Sequence, residues 1–392
     1  MNAASDVAGA EASPRGPATW YSYLLLGIMT YLVSIQGNIL PFLQGELALS
    51  YRAVSLHTSA IAAGIILDGL FGDRVVRRVG RRPMMIVAGL GSAVAAVLLT
   101  LAPTAAASIG ACFLIGLFGA FIGVMVTAIL SDLHGTRRDV AYAEANAMSY
   151  VFAIMAPALS ALAATLGLGW RAAILAGAAA AVVIVAAFFR TPLPPSRETA
   201  AASAAPLAPA YWCYFAVLGL SVAVEFSMIL WTPAYLERVI GLSPSAAAAG
   251  AAAFFVAMLA ARIAGGPLFR LVSIRRLFPA AAVTTVAGFA LYWGAATGAF
   301  AIAGLFVVGL GVALLFPLAQ SFAIEAAGEA ADRASARLML APGIAILVNP
   351  PLLGAIADTA GLRYAQLMTP VFMALAALAF LAGELARRRR TR

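Results

Sequence analysis

Twelve stretches of mostly apolar residues, separated by short polar breaks, run through almost the whole chain. They fall at about 20–43, 52–72, 83–103, 106–130, 143–166 and 170–189, then 210–232, 245–268, 276–296, 299–322, 335–357 and 363–385. Each is close to the roughly 20 residues a helix needs to cross a bilayer. Most connections are short, so neighbouring helices are antiparallel. The longer one, TPLPPSRETAAASAAPLAP after Arg190, is rich in proline, serine and alanine and reads as a linker. The pattern predicts an all-α integral membrane protein of twelve transmembrane helices in two six-helix bundles. The expected divisions are a disordered tail over 1–19, a first half over 20–190, the linker over 191–209, a second half over 210–386 and a basic tail over 387–392.

Composition agrees. Hydrophobic residues make up 63% of the chain and charged residues 10%, with a mean hydropathy of +0.97. A soluble domain carries about 25% charge. The polar start of the chain has no basic run ahead of an apolar one, so it does not read as a cleaved signal peptide.

The net charge of +9 comes from arginine alone, because the chain has no lysine. Arginine placement also sets the expected orientation. With the N-terminus inside, 20 arginines fall on cytoplasmic segments, while Arg52, Arg171, Arg238 and Arg363 fall outside and Arg262 lies within a span. Both termini are therefore expected in the cytoplasm, in a bacterial-type inner membrane. This clustering at helix ends argues against a nucleic-acid partner. The run Arg387–Arg390 reads as an anchor against anionic lipid.

The halves also repeat. Gly72 with Arg81 and Arg82 matches Gly266 with Arg275 and Arg276 at an offset of 194, and Pro157 matches Pro350 at 193. Parallel six-helix repeats are the pattern of a large transporter fold.

At this point the chain resembles the major facilitator superfamily over residues 20–386. GDRVVRRVGRRP (Gly72–Pro83) is similar to that family's cytoplasmic loop 2–3 latch, which implies a gate role for Asp73 and Arg74. AIMAPALSA resembles the glycine-proline motif of the drug antiporters, with Ala156 in place of the glycine. GNILPFLQGELALS (Gly37–Ser50) and VEFSMILWTPAYLERVIGLS (Val224–Ser243) resemble the fucose-permease-like branch. The acids which that branch carries in the first and fourth spans are missing here. The antiporter-type arginine of the fourth span is missing too, with Cys112 near its place.

Ionisable groups within spans cost on the order of 2.5–3.5 kcal/mol each on insertion scales. Glu225 is the deepest acid, and a carboxyl there suits a proton carrier facing a water-filled cavity. A hydrogen-bonded structural glutamate is the plainer alternative. Trp231 suits stacking on a solute or anchoring at the interface. Gln36 and Asn38 suit hydrogen bonds to a polar solute or between helices, and Gln320 and Asn349 are weaker candidates of the same kind. Without acids in the first and fourth spans, proton coupling falls on Glu225 or is absent.

Asp68 and Arg262 are repeat equivalents, as are Glu144 and Arg337. By the resemblance, the second span meets the eleventh and the fifth meets the eighth. Two cross-half ion pairs are therefore expected at a cytoplasmic gate, Asp68–Arg337 and Glu144–Arg262. Separate snorkelling of each charge is the alternative. His57 reads as an interfacial residue, and Gly116, Gly119 and Gly123 as a packing face.

Cys112 and Cys213 lie within apolar runs, and His57 and His134 are the two histidines. No metal spacing, phosphate loop or nucleophile triad appears, so neither an enzyme nor a cofactor or metal is expected. The expected activity is secondary active transport of a small organic solute, proton-coupled, by a monomer in the lipid bilayer. Alternatives are an efflux antiporter of drugs or metabolites, a uniporter, or a non-transporting scaffold or sensor. A polar cavity would favour nutrient uptake and a mostly apolar one export.

Overall fold

The computed structural model describes residues 15–195, 207–328, 334 and 337–390. Residues 1–14 of the expected 1–19 tail, 196–206 of the expected 191–209 linker and 391–392 of the expected basic tail lie outside these, as do 329–333, 335 and 336. The helices in the first half are α1 (Pro17–Ser34), α2 (Gln36–Glu46), α3 (Tyr51–Val79), α4 (Arg81–Leu101), α5 (Ala105–His134), α6 (Arg138–Thr165) and α7 (Trp170–Phe188). The second half holds α8 (Pro209–Arg238), α9 (Pro244–Leu271), α10 (Ile274–Trp293), α11 (Gly298–Ala327), α12 (Leu340–Ala360), α13 (Leu362–Ala365) and α14 (Met368–Arg390). Eleven helices among the described residues are long and apolar enough to cross a membrane, and α1 with α2 forms a twelfth span bent by 41°. The bend falls just before Gly37 and Pro41, where the proline removes a backbone donor from the helix ladder.

The repeat seen in sequence is also a repeat of packing. The neighbours α1–α6, α3–α5, α4–α5 and α1–α7 recur as α8–α12, α9–α11, α10–α11 and α8–α14. Ser50 caps α3 through the Ala53 amide, and Ser243, offset by 193, caps α9 through the Ala246 amide. Arg171 donates to the Thr100 carbonyl at 3.0 Å, and Arg363 donates to the Trp293 carbonyl at 3.4 Å.

Small residues set how closely the helices approach. A Cβ at Gly116 would strike the Ile61 backbone of α3, and one at Gly119 would lie 3.0 Å from Met29 of α1. The packing reading of these glycines therefore holds at these two positions.

The halves meet along α3 with α12, α6 with α9, and α2 with α8. Gly37 sits against the Ile229 carbonyl, with no room for a side chain. Cross-half hydrogen bonds gather at the end opposite the termini, called here the distal end. Asp358 accepts from the Tyr51 and Arg52 amides at 2.7 and 3.0 Å. Arg238 donates to Gln44 at 2.7 Å and to the Tyr51 hydroxyl at 3.0 Å. Deeper along α3, Ser59 donates at 2.7 Å to the Leu347 carbonyl, whose helical donor is removed by Pro351.

Candidate functional site

Glu225 lies in the middle of α8, a helix of 30 residues. It is surrounded by protein yet keeps partial exposure, so it faces internal space rather than lipid. The Arg262 guanidinium of α9 acts on it electrostatically and also acts on Tyr150 of α6. The Arg262 Cζ lies 4.7 Å from the Tyr150 ring centroid. A cation over an aromatic face gains about 0.5–2 kcal/mol. Arg262 Nε has no hydrogen-bond partner. The three groups join α8 and α9 of the second half to α6 of the first.

Beside them is a cavity of about 380 Å³ between α6, α9 and α11. Its walls include Asn146, Tyr150, Leu259, Arg262, Leu314 and Pro317. Most of the wall is apolar, and among the described residues no carboxylate lines it.

Several expected site residues are placed elsewhere. Gln36 is buried in packing, donating to the Leu32 carbonyl at 3.1 Å and accepting from the Cys112 thiol at 3.7 Å. Asn38 is buried too, with its Oδ1 lacking a partner. Trp231 belongs to the distal closure, 5.7 Å from the Tyr51 ring, and its Nε1 has no partner. Asn349 ties α12 to α8 through the Ala223 carbonyl and Ser227 Oγ at 2.9 and 3.0 Å. Gln320 is partly exposed on α11. His57 is not interfacial. It is fully buried, bonded to the Val54 carbonyl and Ser108 Oγ, both at 2.8 Å.

The two expected cross-half ion pairs are not formed in this conformation. Glu144 accepts from Arg15 through both oxygens at 2.7 Å and from the Tyr23 hydroxyl at 2.7 Å. Arg262 meanwhile faces Tyr150 and Glu225. Asp68 is buried near Gly72 and its Oδ1 has no partner, while Arg337 acts on Tyr211. Arg74 is exposed, and the Asp73 side chain lies outside the described ones.

Among the described residues the ion pairs lie within a half, and one of them repeats. Arg81 pairs with Asp132 at 2.6 Å, linking α4 to α5. Arg275 pairs with Glu325 at 2.9 Å, linking α10 to α11 at offsets of 194 and 193. Arg275 also reaches Glu384 of α14 at 3.0 Å. Tyr150 was missed at the sequence level. A signal was available: positions 143, 146, 147 and 150 share one helical face, and that face carries Asn146 and Tyr150.

Two packed six-helix bundles with an arginine lining a cavity between them follow the plan of a membrane-transporter fold. The sequence matches the model of the Major Facilitator Superfamily over residues 22–336, and the chain belongs to that family. Members of that family are transporters rather than enzymes.

The structure is similar to that of a bacterial homologue of the human lysosomal transporter Spinster, in an inward-facing and unoccupied conformation. The TM-score is 0.82 and the identity 14%, over 96% of this chain and 98% of that one. The inward-facing, occupied form of a bacterial Spinster homologue gives a TM-score of 0.80 at 14% identity, with the same coverage. Among curated proteins, the multidrug efflux pump LfrA of Mycolicibacterium smegmatis is 26% identical over 164 residues. That match covers 40% of this chain and 30% of the pump, under a third of the pump's length.

Proposed function

We propose that this chain moves a small organic solute across a bacterial inner membrane by alternating access, with a proton coupled through Glu225. The observation that carries this reading is the Glu225–Arg262–Tyr150 cluster beside the cavity. Charged groups at such depth are expensive and are kept where they act on a solute or an ion. This cluster spans the two halves, so a change in its charge is felt as they rock.

Both termini are cytoplasmic in this reading, supported by the 20 arginines against 4 on the two sides. The distal hydrogen bonds then close the outer side. When the cytoplasmic end shuts, Glu144 exchanges Arg15 for Arg262, and Asp68 takes Arg337, alongside Asp73 and Arg74 of the loop motif. The protein works as a monomer. The fucose-permease-like resemblance includes Gly37, which serves close packing against α8, so the solute class is left to the cavity. The mostly apolar wall and the partial similarity to an efflux pump favour a second reading, export of amphipathic compounds by antiport.

Counterflow in proteoliposomes, with and without a pH gradient, tests the proposal across a solute panel of sugars, carboxylates and amphipathic cations. Counterflow of at least one class, with solute-dependent proton flux lost in Glu225→Gln, is expected. No counterflow for any member overturns the transport reading, and proton flux unchanged in that variant overturns the role of Glu225.

A further inference from the structure

We infer that the solute of this cavity is a small organic monoanion with an apolar body, carried together with one proton. The inference rests on the transport reading above and names its solute class.

The argument begins with which charges of the site can change. A guanidinium stays charged in proteins. A carboxyl is neutralised when it takes a proton. Glu225 and Arg262 therefore give two states: neutral overall when Glu225 is ionised, and singly positive when it is protonated. The pair is never negative. An uncompensated charge away from water is costly. The protonated site thus favours an anion, and the ionised site rejects one. A cationic solute leaves surplus positive charge in either state. Among the described residues, Arg262 is the charged group acting on Glu225, and Tyr150 is the other titratable neighbour.

Geometry supplies the binding face. Arg262 lines the cavity and is partly exposed, while Tyr150 lies against its guanidinium plane. The planar fork of an arginine suits two-point contact with a carboxylate or sulfonate. No carboxylate among the described lining residues competes for it. Leu259, Ile263, Ala313, Leu314 and Pro317 offer apolar wall to the rest of the solute. The volume of about 380 Å³ lies within the range of about 300–1,000 Å³ for small-ligand pockets. Proton and anion each strengthen the binding of the other, because the coupling is reciprocal.

The test uses the full chain in proteoliposomes with benzenesulfonate, which stays ionised and does not cross as a neutral acid. Benzyltrimethylammonium is the cation of matched size. An acid-outside gradient is expected to accumulate benzenesulfonate about tenfold per pH unit, as one coupled proton requires. Clamping the membrane potential should leave that accumulation unchanged, since a proton and a monoanion together carry no net charge. Arg262→Gln should abolish accumulation. Glu225→Gln should lose the response to pH and keep benzenesulfonate counterflow, because the amide mimics the protonated acid.

Should these variants fail to fold, the wild-type protein provides the test. Benzenesulfonate should raise its melting temperature more at acid than at alkaline pH. An equal shift at both overturns the proton–anion linkage. Accumulation that follows the potential instead of the pH gradient also overturns it. Proton-driven movement of benzyltrimethylammonium without benzenesulfonate overturns the anion assignment and leaves the transport reading standing. No flux of either probe, together with no counterflow across the solute panel, overturns both.

Discussion

The two halves share a backbone plan and use it for different ends. Pro17, Gly27 and Pro41 match Pro209, Gly219 and Pro233 at an offset of 192, so Glu225 of α8 corresponds to Val33 of α1, while Arg262 of α9 corresponds to Asp68 of α3 at 194. Two residues before Val33, Tyr31 is buried and donates at 2.5 Å to the Ala173 carbonyl, locking α1 to α7. Glu225 instead faces internal space, within the electrostatic reach of Arg262. Asp68 is buried with one oxygen lacking a hydrogen-bond partner, whereas Arg262 lines the cavity. Elsewhere the halves agree closely: Arg81–Asp132 repeats as Arg275–Glu325, and the Arg171 contact with Thr100 repeats as Arg363 with Trp293. Pseudo-symmetry thus holds where helices are fastened within a half. It breaks at the cavity, where the second half contributes the charge of Arg262 and the first, among the described lining residues, contributes the uncharged Asn146 and Tyr150.

Substitutions in the corresponding helices α8 and α1 can break that contrast, and the largest effect is expected at the cavity. Glu225→Gln should lower pH-gradient-driven transport by about a hundredfold, within the range for removing a positioned proton-transfer group. Tyr31→Phe should leave transport within about twofold, since only a packing bond of about 1 kcal/mol is lost. Equal loss in both variants would show that the asymmetry has no functional meaning.

The fastening pairs should rank by burial. Arg81→Gln breaks a pair whose side chains are 8% and 15% exposed, and should cost up to about 3 kcal/mol, the low end for a broken buried pair. Glu325→Gln breaks only the Arg275–Glu325 pair, whose side chains are 30% and 48% exposed, where solvent screening leaves about 1 kcal/mol or less. Thermal unfolding in detergent reads both, and a larger fall for the Glu325 variant would contradict the ranking.

The smallest effect is expected at the distal closure. Ser59→Ala removes one cross-half bond to the Leu347 carbonyl, worth about 1 kcal/mol, and should favour opening of that end. Labelling of a single cysteine introduced at Gln44 should rise several-fold. Unchanged labelling would assign the bond to packing alone.

Much of the fold was legible because bilayer thickness imposes a length on every span. The site was less so. Gln36 and Asn38 read as cavity amides, yet the bend between α1 and α2 and the close approach of Gly37 to α8 turn both into the packed interior. Glu144 read as a partner for Arg262, yet Arg15, just ahead of α1, reaches it with both arms of its guanidinium. Tyr150 drew no notice because a tyrosine within a span is common. Its meaning depends on the arginine lying over it.

By itself, the sequence determined that this protein has twelve spans in two related halves with few charges between them, because the cost of exposing polar backbone to lipid acts locally on each stretch. Only the tertiary structure decided which of those charges meet. Partner choice depends on helix crossing, the bend at Ile35 and the reach of long side chains. None of these is set by spacing along the chain.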